Sequence, residues 1–368
     1  PIPNGYPRER RTVRILAIDV GMGTADILAY DSSLEIKNCP KLVVPSCTQV
    51  VARRIQQATA DGRTVVFDGV TMGGGPCGRA LKKHLEAGLG FIASPAAART
   101  FNDDLELVDS WGVCIEQEPH SAAPAGSIHL TSGDLDLSGL LDIFQRLGIS
   151  GDFDGFAVAV QDHGFSPGAS NRRHRFQLWR RSLAGGADLE RFAYPASRIP
   201  GDYTRMRAVA SLLAGQPGVM LMDTGPAALW GALPEMDAEG GPEEARELVA
   251  NLGNGHTLAA IMAGNRIDAL VEHHTGLLES GSFGPFIRRF AAGNLSDDQV
   301  FSDGGHGCIP PDTGMELAAP VIVTGPRRRL ARGSGLKLRF AAPHGDMMLT
   351  GCFGLVEAWK SIISDLSF

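Results

Sequence analysis

Short apolar runs that stop at glycine clusters constrain this chain more than any other feature. The run 13–20 (VRILAIDV) breaks at Gly21-Met22-Gly23-Thr24 and resumes over 25–30. A run this short, bounded by turn residues, predicts a β-hairpin with a glycine turn rather than a helix. The pattern recurs where 248–252 (LVANL) meets Gly253-Asn254-Gly255-His256-Thr257, continues into 258–262, and is followed by a Gly264-Asn265 turn and an apolar run from Ile267. Other clusters are Gly73-Gly74-Gly75, Gly304-Gly305 with Gly307, and Gly325 after 321–324 (VIVT). Glycine at a strand end permits the turn and lets backbone come close to a partner that a Cβ would keep away. The chain has 46 glycines in 368 residues, above the usual roughly 7%, and no short tandem repeat or low-complexity tract accounts for them.

A plain hairpin needs neither an acid at the end of its first strand nor a hydroxyl just past its turn, and this one has Asp19 and Thr24. Amide groups bared by such a turn suit phosphate oxygens, and Asp19 could hold a hydrated Mg²⁺ against them. A simple glycine turn is the alternative at each hairpin taken alone. Two such hairpins more than two hundred residues apart predict two similar lobes facing a cleft. Between them, 219–232 reads as a strand, a capped turn with Pro226 near the helix start, and a helix of small residues suited to close packing. Residues 320–326 read as a strand and a small-residue turn, and 349–363 as a last helix with Gly351 and Gly354 on its early turns.

Composition narrows the function classes. The length exceeds what one hydrophobic core usually supports, so two domains or lobes are expected. Against 41 Asp and Glu stand 34 Lys and Arg, a net charge of −7, which gives no basic surplus for nucleic acid or an acidic membrane. No apolar stretch approaches the roughly 20 residues of a membrane span, and the polar, basic start lacks a signal-type run, so a cytoplasmic location is expected. Six cysteines without a CxxC pair fit reduced thiols better than a disulfide framework or a zinc or iron–sulfur site.

Five segments, 15–31, 223–232, 248–262, 321–326 and 349–359, resemble in order the motifs of the actin-like ATPase superfamily of sugar kinases, acetate kinases and heat-shock chaperone ATPases. Those motifs are a first phosphate hairpin, a connecting helix, a second phosphate hairpin, an adenosine turn and a second connecting helix. More closely, Asp19-Val20-Gly21-Met22-Gly23-Thr24, Met72-Gly73-Gly74-Gly75-Pro76, Asp162-His163-Gly164, Asp223-Thr224-Gly225 and Glu272-His273-His274-Thr275-Gly276 resemble a family labelled "putative pyruvate formate-lyase activating enzyme". A radical-generating activase of the usual kind needs a cysteine triplet for iron and sulfur, which this sequence lacks.

The superfamily resemblance implies that ATP and Mg²⁺ bind between the lobes. Asp19 would position Mg²⁺ through water, Gly21, Gly23 and Thr24 would cradle phosphates, Gly253 and Gly255 would do so from the other lobe, and Thr324 and Gly325 would lie beside the adenosine. The chain departs from the pattern at Asn251, where most members carry an acid, and at His256, where a small hydroxyl residue is usual; both still fall in the expected nucleotide site. Asn adds no negative charge and cannot act as a base, so slow turnover or no nucleotide at all would follow.

Other stretches carry candidate chemistry. The apolar strand 155–160 ends at Gln161-Asp162-His163-Gly164, and the sugar-kinase branch has a Gln and His-Gly at a comparable edge. Asp162 or His163 is therefore the candidate general base; alternatively Asp162 caps the next turn and His163 packs there. Gly73-Gly74-Gly75-Pro76 precedes a helix-like stretch, 79–87, whose start could hold a substrate carboxylate or phosphate or merely form a tight loop. In Glu272-His273-His274 the two imidazoles would point to opposite strand faces, so they should not chelate one ion together. His306 is expected in a flexible loop, as a connector or a lid. The basic runs 172–175 with 180–181, and 327–329, read mainly as solvated surface.

The expectation is an α/β chain with a two-lobed actin-like ATPase (ribonuclease H-like) fold, each lobe a mixed sheet flanked by helices. It divides into a tail (1–12), a first lobe (13–235), a second lobe (236–348) and a C-terminal connecting helix (349–368), with a hinge at 234–244 and a short helix-like lead over 243–250. The expected activity is Mg-ATP-dependent phosphoryl transfer or hydrolysis on a small metabolite, with no nucleic-acid or membrane partner and with a homodimer or a partner enzyme as further partners. Alternatives are an ATPase that activates a partner enzyme and an inactive binding protein.

Overall fold

The computed structural model describes residues 11–184, 188–236, 245–278 and 280–363; most of the expected tail and hinge lies outside them. The first hairpin is β1 (Arg14–Val20) with β2 (Thr24–Asp31), and β3 (Lys41–Pro45) completes an antiparallel meander. A block follows with its own core: α1 (Cys47–Ala60), β4 (Val65–Gly69), α2 (Gly75–Glu86), β5 (Phe91–Ala93), α3 (Pro95–Ala98), α4 (Leu105–Ser110), β6 (Val113–Ile115) and β7 (Ile128–Ser132). Its four strands are parallel, in the order β6-β5-β4-β7. This third sheet is not anticipated by the sequence, because two of its strands have only three residues and carry little periodic signal.

The chain then returns to the first sheet. Helix α5 (Leu137–Arg146) leads to β8 (Gly155–Val160), and α6 (Asn171–Ala184), β9 (Ala193–Pro195), α7 (Thr204–Leu212) and β10 (Val219–Met222) finish this half. After α8 (Thr224–Met236) come β11 (Arg246–Leu252), β12 (His256–Ala263) and β13 (Arg266–His274), then α9 (Ser280–Ala291), α10 (Asp297–Ser302), β14 (Gly307–Ile309), β15 (Val321–Thr324), β16 (Leu338–Phe340) and α11 (Thr350–Ile363). The helix-like lead expected over 243–250 is instead strand from Arg246. Leu248, Val249 and Ala250 are buried there, and β11 pairs in parallel with β15, so sheet burial overrides local helix preference.

The two large sheets repeat one plan. Their orders are β3-β2-β1-β8-β10-β9 and β14-β13-β12-β11-β15-β16. In each, the first strand of an antiparallel meander pairs in parallel with a later strand on its other side. This duplicated arrangement is the two-lobed, ribonuclease H-like fold of the expectation. Helices α8 and α11 lie in the apolar layer between the sheets, among Ile15, Leu28, Val249, Leu258 and Met262. They cross closely because neither has a side chain at the contact. A Cβ on Gly231 would run into the Thr350 carbonyl oxygen, and one on Gly354 into that of Ala227. Among the described residues, no helix is long and apolar enough to cross a membrane.

Candidate functional site

The two hairpin turns are built alike. The amide of Gly21 donates to the Thr24 carbonyl at 2.8 Å, and that of Gly253 to the His256 carbonyl at 2.9 Å. The amides of Ser46 and Thr275, each just past the third strand of its meander, donate to the carbonyls of Gly23 and Gly255 at 3.3 and 2.9 Å. The turn tips face each other. A Cβ on Gly23 would lie 2.8 Å from Asn254 Nδ2, and one on Gly255 would lie 3.4 Å from Met22 Sδ. The amides of Met22, Gly23, Asn254 and Gly255 donate to no backbone group among the described residues, which leaves them free for an anion.

Behind the tips is a narrow crevice of about 90 Å³, lined by Asp19, Gly21, Thr24, Asp26, Asn251, Gly253, Gly325 and Gly351. Asp19 and Asp26 are opposite each other in the β1–β2 register, hence on one face of the sheet. The Oδ1 atom of each is buried and has no hydrogen-bond partner. Burial pushes the Asp19 carboxyl well up, with the charges of Asp26 and Asp223 adding to it, and burial pushes Asp26 up to about 7. Two desolvated acids side by side suit a cation, so a hydrated Mg²⁺ fits these residues.

Other predicted nucleotide residues are at the back of the crevice. Gly325 has a φ of 93°, which favours glycine, and a Cβ there would press on Asn251 Oδ1 and the Leu252 carbonyl. Thr324 is fully buried and its hydroxyl is 3.0 Å from that of Thr350, so it packs beneath Gly325 instead of lining the crevice.

On the other side of the turns opens a larger cavity of about 590 Å³. It is reached by Gln161, His163, His256, Arg172, Arg205 and the Gly73-Gly74-Gly75 start of α2. Gly73 is held by its amide donating to Asp134 Oδ1 (3.1 Å), and Asp134 also pairs with Arg205 at 2.7 Å. His163 lines this cavity, and burial keeps its imidazole neutral by pulling its pKa well down. Asp162 does not reach it. Its two oxygens accept from the amides of Gly164 and Met206, both at 2.8 Å, the geometry of a turn cap.

Beneath His163 is a charged network that the sequence does not foretell. Arg175, in a run that reads as solvated surface, is 0% exposed. Its guanidinium donates to both oxygens of Asp223 (2.6 and 2.8 Å), both of Glu272 (2.8 and 3.2 Å) and the Asp162 carbonyl (2.8 Å). Burial alone would raise the Glu272 carboxyl, but Arg175 first, and His306 after it, hold it well below its usual range.

His306 is 1% exposed, and its amide donates to the Glu272 carbonyl at 2.9 Å. The flexible connector or lid expected there is instead part of the cavity wall, because β14 docks on β13 and pulls the loop in. His306 Nδ1 approaches Glu272 Oε2 to 3.0 Å without the alignment of a hydrogen bond, and both ring nitrogens lack an aligned partner. His256 and His274 face each other across β12 and β13, and one ligand atom from each of His256, His274 and His306 lies within 4.8 Å of the others. His273 points to the opposite sheet face, against Phe286, as strand alternation requires.

Sequence reasoning missed Asp26, Arg175 and the meeting of three imidazoles. Asp26 could have been found by counting the hairpin register outward from the turn. Arg175 and His306 have no local signal, since the acids they meet lie 97 and 48 residues away for Arg175 and 34 for His306.

The repeated strand order, with glycine turns apposed across a cleft and two small-residue helices between the sheets, is the two-lobed actin-like fold. The chain belongs to the family described as "Putative pyruvate format-lyase activating enzyme (DUF1786)", which matches residues 72–330. Among the described residues its six cysteines are free and no three of them converge.

Among solved structures, the chain is similar to ethanolamine utilization protein EutJ from Carboxydothermus hydrogenoformans, with 10% identity and TM-score 0.33 over 95% of this chain and 90% of that one. It is similar to MreB5 of Spiroplasma citri bound to ADP, with 12% identity and TM-score 0.32 over 96% and 98%. An exopolyphosphatase-like protein matches with 9% identity and TM-score 0.28 over 86% and 66%. At these scores the assignment of fold rests on the strand order instead. No curated protein matches the chain.

Proposed function

We propose that this chain binds a magnesium nucleotide between its two glycine turns and acts as a phosphotransferase or ATPase on a small metabolite held in the adjoining cavity. The observation that carries the reading is the acid pair. Asp19 and Asp26 each bury an unpartnered carboxylate oxygen in a crevice whose mouth is formed by glycines with free amides. Leaving two such groups without a cation is costly. Magnesium bound there would neutralise phosphate charge; Asp19 and Asp26 would hold it.

The remaining roles belong to the chain. The amides of Met22, Gly23, Asn254 and Gly255 would face phosphate oxygens, and Thr24 would add a hydroxyl. Gly325 lets the turn pack directly on Asn251 at the back of the crevice, on the side where the superfamily resemblance would put the nucleoside. In the larger cavity the start of α2, with Arg79 and Arg205 nearby, favours a substrate that carries a carboxylate or phosphate. His163, which lines that cavity and is held neutral by burial, would take a proton from an acceptor hydroxyl. Asp162 holds the strand end that presents it.

Thermal unfolding with ATP, ADP and Mg²⁺ tests this directly. Nucleotide with magnesium should raise the Tm of the wild type, and D19N should abolish the rise. No rise in the wild type would overturn the nucleotide reading, and an equal rise in D19N would overturn the site. Asn251 in place of an acid favours a second outcome, binding without turnover, which appears as a Tm rise with no release or transfer of phosphate under any acceptor.

A further inference from the structure

We infer that His256, His274 and His306 form a second metal centre, which takes a divalent transition metal of the zinc class and leaves one coordination position open to the large cavity. The three side chains come from separate places, the start of β12, the end of β13 and the loop before β14, yet each offers a nitrogen within 4.8 Å of the other two. That spread suits three ligands around one ion bound at about 2.0–2.1 Å. His306 packs edge to face on both other rings, which are tilted against each other, and all three centroid separations are 4.6 to 4.9 Å. Stacking alone does not explain the cluster, because buried imidazole nitrogens need partners, and both nitrogens of His306 are buried without an aligned one.

The surroundings fit as well. Glu272 lies 3.0 Å from His306 Nδ1, and Arg175 fixes both of its oxygens. With a metal bound and the ring turned into line, a carboxylate in that place would hold the proton on Nδ1, aim the ring, and leave the Nε2 lone pair to the metal. Three imidazoles with no thiolate and no fourth protein ligand among the described residues suit zinc, and also cobalt, nickel or iron, better than magnesium, which prefers oxygen. His256, His274 and His306 all line the cavity that holds the α2 start and His163. The fourth position therefore faces the space assigned to the substrate, where water or a substrate oxygen can occupy it; structural zinc sites are closed, and this one is open. The centre is separate from the acid pair at β1–β2, and its metal is read with no nucleotide present, so it can fail or hold independently of the nucleotide reading.

The test uses the full chain, purified without a histidine tag, stripped with chelator and dialysed against Zn²⁺. Elemental analysis should find one zinc per chain, and Co²⁺ in its place should give the visible absorption of a nitrogen–oxygen site of low coordination number. H274A and H256Q should each weaken Zn²⁺ binding by at least 10–100-fold, the loss already seen when only an outer partner of a ligand is removed. H129A, which breaks the exposed His120–His129 contact on the small parallel sheet, should leave zinc content unchanged, and a tenfold excess of Mg²⁺ should not displace the zinc. The inference is overturned if the wild type retains no zinc, if its cobalt form shows only the weak absorption of an octahedral ion, if H129A loses the metal, or if magnesium displaces it. The cobalt spectrum and the zinc content are read on the wild type, so they decide the matter even where a variant fails to fold.

Discussion

Hairpins β1–β2 and β11–β12 share a backbone, with the same bond closing each turn and the same bond tying each turn to the end of its meander. The side chains at matching places belong to different chemistries. Asp19 corresponds to Asn251, Thr24 to His256, and Asp26 to Leu258. The residue across from Thr24 is Pro45, and the one across from His256 is His274. One meander has gathered carboxylates, Asp19 and Asp26, and the other imidazoles, His256 and His274. The duplicated fold thus supplies two equivalent frames around one cleft, and on the proposed readings the differing side chains suit one of them to a hard cation and the other to a softer one.

The largest effect that tests this contrast comes from the support of the second frame. In R175M, Asp223 and Glu272 would be left buried without their shared cation, and urea denaturation should show a loss of about 3–5 kcal/mol. Among the described residues the acids of the first frame have no such cationic partner, so D19N measured without Mg²⁺ should cost little or even stabilise. If R175M costs less than about 1 kcal/mol, or D19N costs as much as R175M, the two frames are not held in different ways.

A smaller loss should come from crowding the first frame from behind. A Cβ on Gly351, at the start of α11, would run into the Asp19 carboxylate. G351A should therefore destabilise by about 1–3 kcal/mol through overpacking, less up to about 1 kcal/mol recovered from helix preference. Combined with D19A, the same change should cost far less, because the group it strikes is gone. Equal costs in the two backgrounds would mean that α11 does not press on the acid.

The reach of the sequence follows the same division. The hairpins, the strand at 155–160, the α8 and α11 segments and the β15 turn were legible because each is a local pattern of apolar run and glycine. The acid at the turn, Asp19, was legible for the same reason. The small parallel sheet was not, since strands of three residues leave no period to detect. The imidazole cluster was invisible for a different reason. His274 can be ruled out as a partner of His273 by strand alternation, but its pairing with His256 depends on register, and His306 arrives only through the docking of β14. Arg175 was misread because a basic run on a helix shows no sign of which residue faces the core, and here the facing residue is bound by acids far along the chain.

The frames should also respond oppositely to pH. Asp26 has a folded pKa of about 7, above the roughly 3.9 of an unfolded Asp. The folded state therefore holds the extra proton between those values, and this group makes stability fall as pH rises from about 4 to 7. His256 has a folded pKa of about 3, below the roughly 6.5 of an unfolded His. Here the unfolded state holds the extra proton, so stability rises with pH over about 3 to 6.5. Denaturation at a series of pH values, without metal, should show D26N gaining on the wild type as pH increases to 7 and H256Q gaining as pH decreases to about 4. Parallel pH profiles for both variants would remove the electrostatic difference between the frames.

The smallest effect addresses how few side chains make the difference. N251D gives the second frame the acid its counterpart has, with almost no change of shape. The new carboxylate would face the crevice from the side opposite Asp19, beside Gly325. Without a cation it adds a third acid to a desolvated place and should lower the Tm slightly. With Mg²⁺ the sign should reverse, since a tenfold gain in magnesium affinity adds about 1.4 kcal/mol once the ion is in excess. The magnesium-dependent Tm rise should thus be larger in N251D than in the wild type, while zinc binding at His256, His274 and His306 stays as it was. If the magnesium response does not grow, Asn251 is not what keeps the second frame from holding a hard cation. The difference would then lie in the imidazoles that occupy the neighbouring positions, His256 and its cross-strand partner His274.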